Sequence, residues 1–151
     1  EVNFAPLQED FARYLGLGKK ELINVESNFI AYGDNASELS YAILAKISAL
    51  VFSKDLDVII GDTDTIDHFA TLNGYLDLEK ELPPELLSLV QDRLFYAAGE
   101  DGAEYACAID ISGTSFASET HLGQEPPLLG IIINSDQREH TEALIRYIFA
   151  P

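Results

Sequence analysis

The stretch LDVIIGDTDTIDHFATLNGYLDL, residues 56–78, decides how this chain is read. Residues 56–60, apolar apart from Asp57, read as a short strand covered on both faces. An acidic turn follows. Thr63 to Thr65 are placed to cap a helix running to about Asn73, with Gly74 positioned as its C-cap. In open α/β sheets ligands gather beyond the carboxyl ends of the strands. Any site in this chain is therefore expected at the Asp62 turn.

Working outward, residues 36–54 make the plainest helix of the sequence. Asn35 can cap it, and Glu38 stands three residues on, the spacing of a capping box. Leu39, Ile43, Ile47, Leu50 and Val51 form one face, while Ala42, Leu44, Ala45 and Phe52 extend it around most of the circumference. A helix apolar nearly all round is expected to be buried on more than one side. Residues 22–27 alternate as a strand, bounded by Asn28, Gly33 and Asp34. Strand, helix and strand in that order predict a right-handed parallel unit. Before them, Leu7, Phe11, Tyr14 and Leu15 suit a helical turn or two, stopped at Gly16-Leu17-Gly18.

Downstream, Pro83-Pro84 opens a short helix over residues 85–92. The period then changes. Residues 94–98 and 103–111 flank Gly99-Glu100-Asp101-Gly102, a hairpin signal. Residues 112–127, rich in Ser, Thr, Gly and Pro, read as a long, partly irregular connection of the kind that often carries function. Residues 128–133 are a second apolar strand, and residues 138–149 close the chain as a helix with Ala143, Leu144, Tyr147 and Ile148 on one face. The expected architecture is one α/β domain over residues 1–151: three layers, with helices on both faces of a mixed, mainly parallel sheet.

The chain has 151 residues and a net charge of -17, from 26 acids against 9 bases. Nucleic acid and anionic membrane surfaces are repelled by such a charge. Cys107 is the single cysteine, which excludes an internal disulfide and a thiolate cluster. It sits in an apolar strand, where a structural thiol is expected rather than a reactive one. No apolar run approaches the roughly 18 residues that span a bilayer. The chain opens on Glu1, as a piece of a longer protein would.

Within the acidic turn of Asp62, Asp64 and Asp67, the run Asp62-Thr63-Asp64-Thr65-Ile66 partly resembles the first motif of haloacid-dehalogenase-type phosphatases, with Ile66 where Thr or Val is usual. That chemistry also needs a downstream lysine and a second acidic pair. The last lysine here is Lys80. A receiver domain would need a lysine after the last strand, and an EF-hand loop its glycine and distal Glu. Both are missing. His68, His121 and His140 lie far apart, without metal-type spacing, and only His121 falls in the irregular connection. No phosphate loop, dinucleotide glycine pattern or nucleophile elbow is present, so no cofactor is expected.

Three segments together resemble the extracellular solute-binding proteins of the type 2 periplasmic-binding fold: residues 56–83, residues 104–112 (EYACAIDIS) and residues 130–150 (GIIINSDQREHTEALIRYIFA). The resemblance covers about two-thirds of the chain, from Ser37 onward. It implies a single periplasmic-binding-protein-like lobe, because residues 113–127 are too few for a second one. It further implies the external domain of a membrane-anchored bacterial protein, joined to the membrane only through a segment outside this chain.

The expected function is a non-catalytic ligand-binding or sensing module outside the cell. Its partner would be a small molecule, cationic or polyhydroxyl, or another protein. Asp62, Thr63, Asp64 and Thr65 would bind from one side and Asp110, Ser112 and Ser115 from the other. The alternatives are a structural or protein-interaction domain that has lost ligand binding, a Mg²⁺-dependent phosphatase, and a cytoplasmic location. An exposed apolar patch beside a flat Asp62 turn is the feature that would favour the interaction domain.

Overall fold

The computed structural model describes residues 2–16, 23–25, 27, 30, 32–33, 37–122 and 126–149. A single turn of π-helix, Pro6–Phe11, runs into α1 (Ala12–Leu15), which Gly16 ends at φ 71°. Then come α2 (Glu38–Phe52), β1 (Val58–Gly61), α3 (Thr63–Thr71), α4 (Leu78–Glu81), α5 (Pro84–Val90), β2 (Leu94–Ala98), β3 (Glu104–Asp110), α6 (Ser115–Thr120), β4 (Leu128–Ile131) and α7 (Arg138–Ile148).

The four strands form one sheet in the order β1-β4-β3-β2, and every neighbouring pair is antiparallel. This corrects the expected mainly parallel sheet. The apolar runs at β1 and β4 report burial on both faces, and such burial does not fix strand direction when helices cover both sides. β4 slots between β1 and β3 and runs against both. Leu22 and Glu26 lie outside the described residues, and residues 23–25 carry no strand. The strand–helix–strand unit therefore has no first strand among the described residues.

The β2–β3 hairpin follows from its short turn, where Gly102 takes φ 82°. Its ladder slips at one place: Phe95 pairs Ala108 but Tyr96 pairs Ala106. Cys107 is the extra residue of this bulge, and its thiol donates to the Phe95 carbonyl at 3.7 Å.

Two apolar clusters lie on the two faces of the sheet. On one face Ile109, Leu129 and Ile131 meet Leu144, Ile145 and Ile148 of α7, with Leu78 and Leu86 of α4 and α5. On the other, Cys107, Ala108 and Leu128 meet Ile66, Phe69 and Ala70 of α3, together with Tyr75. Leu44, Ile47 and Val51 of α2 pack against this second cluster. Ser37 caps α2, accepting from the Ser40 amide at 3.1 Å, and Asn35 lies outside the described residues.

The expectation that α2 is buried on more than one side is also corrected. In this 15-residue helix Ser40 is the one fully buried residue. The helix rests on the second cluster along a single face and turns the other to solvent.

The end of α3 explains the Asn73-Gly74 pair. Asn73 takes the left-handed conformation at φ 55°, so the position expected of Gly74 belongs to Asn73. The Gly74 amide donates to the Phe69 carbonyl and the Asn73 amide to the Ala70 carbonyl, each at 2.9 Å, a Schellman closure. Asn73 Oδ1 then accepts from the Glu100 amide at 2.9 Å, tying α3 to the hairpin turn.

At the sheet centre the Tyr75 ring lies over Gly130. A Cβ built on Gly130 would stand 2.6 Å from two ring carbons and 3.1 Å from the Cys107 carbonyl. Tyr75 is itself buried, so its ring has little room to withdraw. Gly130→Ala is expected to lose about 1–3 kcal/mol, the usual cost of overpacking a core. A lowered urea midpoint with unchanged slope is the expected result, and an unchanged midpoint would show that the ring gives way freely.

Candidate functional site

Gly61 ends β1 beneath the first turn of α3. A Cβ there would lie 3.0 Å from Thr65 Cβ, so the missing side chain permits the close strand-to-helix turn. Asp62 is the N-cap: its carboxylate accepts from the Thr65 amide at 2.9 Å. Carboxylates are favoured at a helix N-terminus by the backbone dipoles. This supplies a structural reason for Asp62. Thr63 is half-buried and Asp64 is exposed in the first turn. Thr65 Oγ1 accepts from the Tyr32 hydroxyl at 3.0 Å.

The outer side of α3 borders a shallow depression of about 460 Å³ lined by Tyr32, Gly33, Asp64, Asp67, His68 and Thr71. The rings of Tyr32 and His68 lie 5.7 Å apart, and His68 meets Phe69 edge-on at 4.8 Å. Tyr32 has its phenol pushed above the ordinary value, first by burial and then by the charges of Asp62 and Asp64, with its bond to Thr65 acting the other way.

The second group of expected site residues hangs from β3. The register places Gly61 opposite Leu128 and Leu128 opposite Asp110. Asp62 and Asp110 therefore occupy the same end of the sheet, two strand spacings or about 10 Å apart along the backbone. Their side chains serve different structures. Asp110 turns back to accept from the Ser112 amide at 2.9 Å. Arg93 donates to the carbonyls of Asp110 and Ser112 at 3.1 and 2.9 Å while its guanidinium lies 5.2 Å from the Phe149 ring centre. Ser115 opens α6 and lines a separate depression of about 370 Å³ with Phe116, Glu119, Tyr147 and Phe149.

Within the partly irregular connection of residues 112–127 lies one short helix, α6. Thr114 caps it by accepting from the Ala117 amide at 3.1 Å. His121 is exposed at the C-cap of α6, with φ 55°. His140 is exposed in the first turn of α7. Cys107 is fully buried, and burial pushes its thiol up to about 12, which leaves it protonated and unreactive near neutral pH.

Among the described residues no three His, Cys, Asp or Glu side chains are grouped to hold a metal ion. Among the same residues no helix is long and apolar enough to cross a membrane.

Sequence reasoning missed two surface features. Tyr32 reaches the α3 turn from far along the chain, and no local pattern announces it. The outer face of α2 was visible in composition but was read as buried. It exposes Tyr41, Ala42, Ala45, Ala49 and Phe52 along one side, with Leu39 near its first turn. Leu39 is 69%, Tyr41 63% and Phe52 88% exposed.

No family model matches this chain, and neither a curated protein nor a solved structure matches it.

The α3 acids are coupled. The Asp67 carboxyl is raised above 3.8, first by partial withdrawal from water and then by Asp64, one turn away. A raised folded-state value means that the folded chain keeps a proton over a window in which the unfolded chain has lost it. Stability falls as pH rises through that window and stays lower above it. Asp67→Asn is therefore expected to raise the melting temperature near neutral pH, with no gain below the ordinary value. An equal gain at both pH values would assign the effect to something other than charge.

Proposed function

We propose that this chain is a non-catalytic protein-interaction domain that docks through the outer face of α2. The observation that carries this reading is the solvent exposure of Tyr41 and Phe52 on a helix face that also presents Ala42, Ala45 and Ala49 outward. Single exposed apolar residues are ordinary, whereas a connected apolar face on a helix marks a contact site.

Magnitudes say what kind of contact it is. Burying a large apolar side chain returns about 1.5–3 kcal/mol. Two of them, about 3–6 kcal/mol, reach only the bottom of the roughly 4–15 kcal/mol that association costs in lost freedom. The alanines must therefore be covered as well, which calls for a partner lying along the whole helix. The side chains of Asp62 and Asp110 are held by their own backbones, and Ser115 lines a depression separate from the one beside Asp64. Those features favour the interaction reading over a trapped small ligand.

Display outside the cell, on a membrane-anchored parent, belongs to the same proposal. Its support is the resemblance of residues 56–83, 104–112 and 130–150 to extracellular solute-binding proteins. A small cationic ligand on the α3 face is the second reading, favoured by Asp64 and Asp67 standing together beside Tyr32 and His68. A thermal-shift screen of inorganic cations and polyamines checks it, with Asp64→Ala expected to remove any shift; no shift with any compound rules it out.

The interaction reading is checked by placing a photo-crosslinking phenylalanine at Tyr41 or, as control, at exposed Glu139 on α7, in the cells that make the protein. A discrete adduct from position 41 alone is expected. Phe52→Ser should remove it while leaving stability within about 0.5 kcal/mol, as surface changes do. Adducts of equal yield from both positions, or none from position 41, would refute docking through α2.

A further inference from the structure

We infer that the occupant of the α2 face is an amphipathic helix flanked by lysine or arginine, carried by another protein; this rests on the interaction reading above. Shape comes first. Tyr41, Ala45, Ala49 and Phe52 recur at helical spacing and are exposed, so they form one ridge with aromatic ends and a small-residue middle. From Tyr41 to Phe52 the ridge runs about 16 Å, three turns of a helix. Alanines let a second helix approach to about 8 Å, the near limit for packed helices, while rings at either end bracket it.

Charge then selects the partner. The C-terminal end of α2 carries the negative end of its backbone dipoles. Acids outnumber bases there, Asp55, Asp57 and Asp136 against Lys54. The Asp55 amide donates to the Leu50 carbonyl at 2.9 Å, which holds Asp55 against the last turn. Asp136 joins it through a 3.4 Å pair with Lys54, and Asp57 is held by the Ser135 hydroxyl at 2.6 Å. Lys54 is the one cation drawn into this group among the described contacts. Glu38 stands at the other end of the ridge, so the apolar stripe has an acid at each end.

A second copy would bring the same acids and a net charge of -17 against their own kind. Screening over about 8 Å does not remove repulsion between groups in direct contact. An anionic bilayer is disfavoured in the same way. A basic-flanked helix meets the stripe with apolar side chains and the ends with opposite charge, which also speeds its encounter.

The test uses the full chain and three labelled helical peptides of identical Leu/Ala stripe, flanked by Lys, flanked by Glu, or scrambled. Fluorescence anisotropy is expected to show binding of the Lys-flanked peptide only. Tyr41→Ser with Phe52→Ser should weaken it at least tenfold, and Asp55→Asn should weaken it several-fold at low salt. Raising NaCl from about 50 to about 500 mM should reduce the affinity, as screening requires. Equal binding of the Glu-flanked peptide, or binding that ignores the Tyr41 and Phe52 changes, would overturn the inference.

Two further arms separate the other occupants. Concentration-dependent dimerisation in sedimentation that is lost with Phe52→Ser, or co-sedimentation with phosphatidylcholine vesicles, would also overturn it. A crosslinked adduct at position 41 without Lys-peptide binding would sink this inference while leaving the interaction reading standing.

Discussion

Burial of β4 on both faces is the constraint on which the rest of the domain depends. Leu129 and Ile131 face one cluster, and Leu128 and Ile132 face the other. A strand with apolar side chains on both sides needs a cover above and below, and flanking strands to take up its backbone groups. β1 and β3 supply the flanks; α7 covers one side and α3 the other. Gly130 falls in the middle because Tyr75 crosses the strand there. Its Cβ position is already occupied by the ring. The hydroxyl of Tyr75 has no hydrogen-bond partner among the described residues, so the ring is kept for its volume.

The acidic surface gives the few bases a structural value out of proportion to their number. Arg138–Glu81 and Arg146–Glu85 link α7 to α4 and α5 at 3.8 and 2.9 Å, but both pairs are well exposed and contribute little each. Arg93 is different. It is half-buried, donates to two carbonyls where β3 ends, and lies over the Phe149 ring. It thus closes the β3 end onto the C-terminal helix, and the turn of Asp110 onto Ser112 follows from that closure. Those contacts are sufficient to explain Asp110 and Ser112 as a structural turn.

Local elements were legible in the sequence wherever a residue's role was local. The hairpin turn, the helix openings at Pro84 and Arg138, and the strand-to-helix change at Gly61 all follow from neighbours within four residues. Strand direction was not legible. Residues 128–133 look the same whether they run with or against β1, since covered strands show no alternation in either case. The acidic turn was found, but its reading as a ligand site rested on a parallel sheet, and an antiparallel one removes that warrant. Tyr32 was out of reach, because its contact with Thr65 spans 33 positions and leaves no periodic trace. The α2 face was visible and misjudged: all-round apolarity was taken to mean contacts within the chain.

The exposed α2 face has a physical consequence. An apolar helix face left in water lowers solubility and invites aggregation, so a domain that keeps one needs both a use for it and a safeguard. The net charge provides the safeguard, because strongly like-charged copies are held apart before their apolar faces meet. In the proposed docking the same charge sets the terms of use: it disfavours the domain's own copies and anionic surfaces and favours cationic partners. Apolar stripe and acidic ends therefore act as one device. The stripe supplies adhesion without discrimination, and the acids at Glu38, Asp55 and Asp136 supply the discrimination that an alanine-centred stripe lacks. Neutralising those acids would remove the discrimination first and leave a stickier protein, which is why charge and apolarity at α2 must be read together.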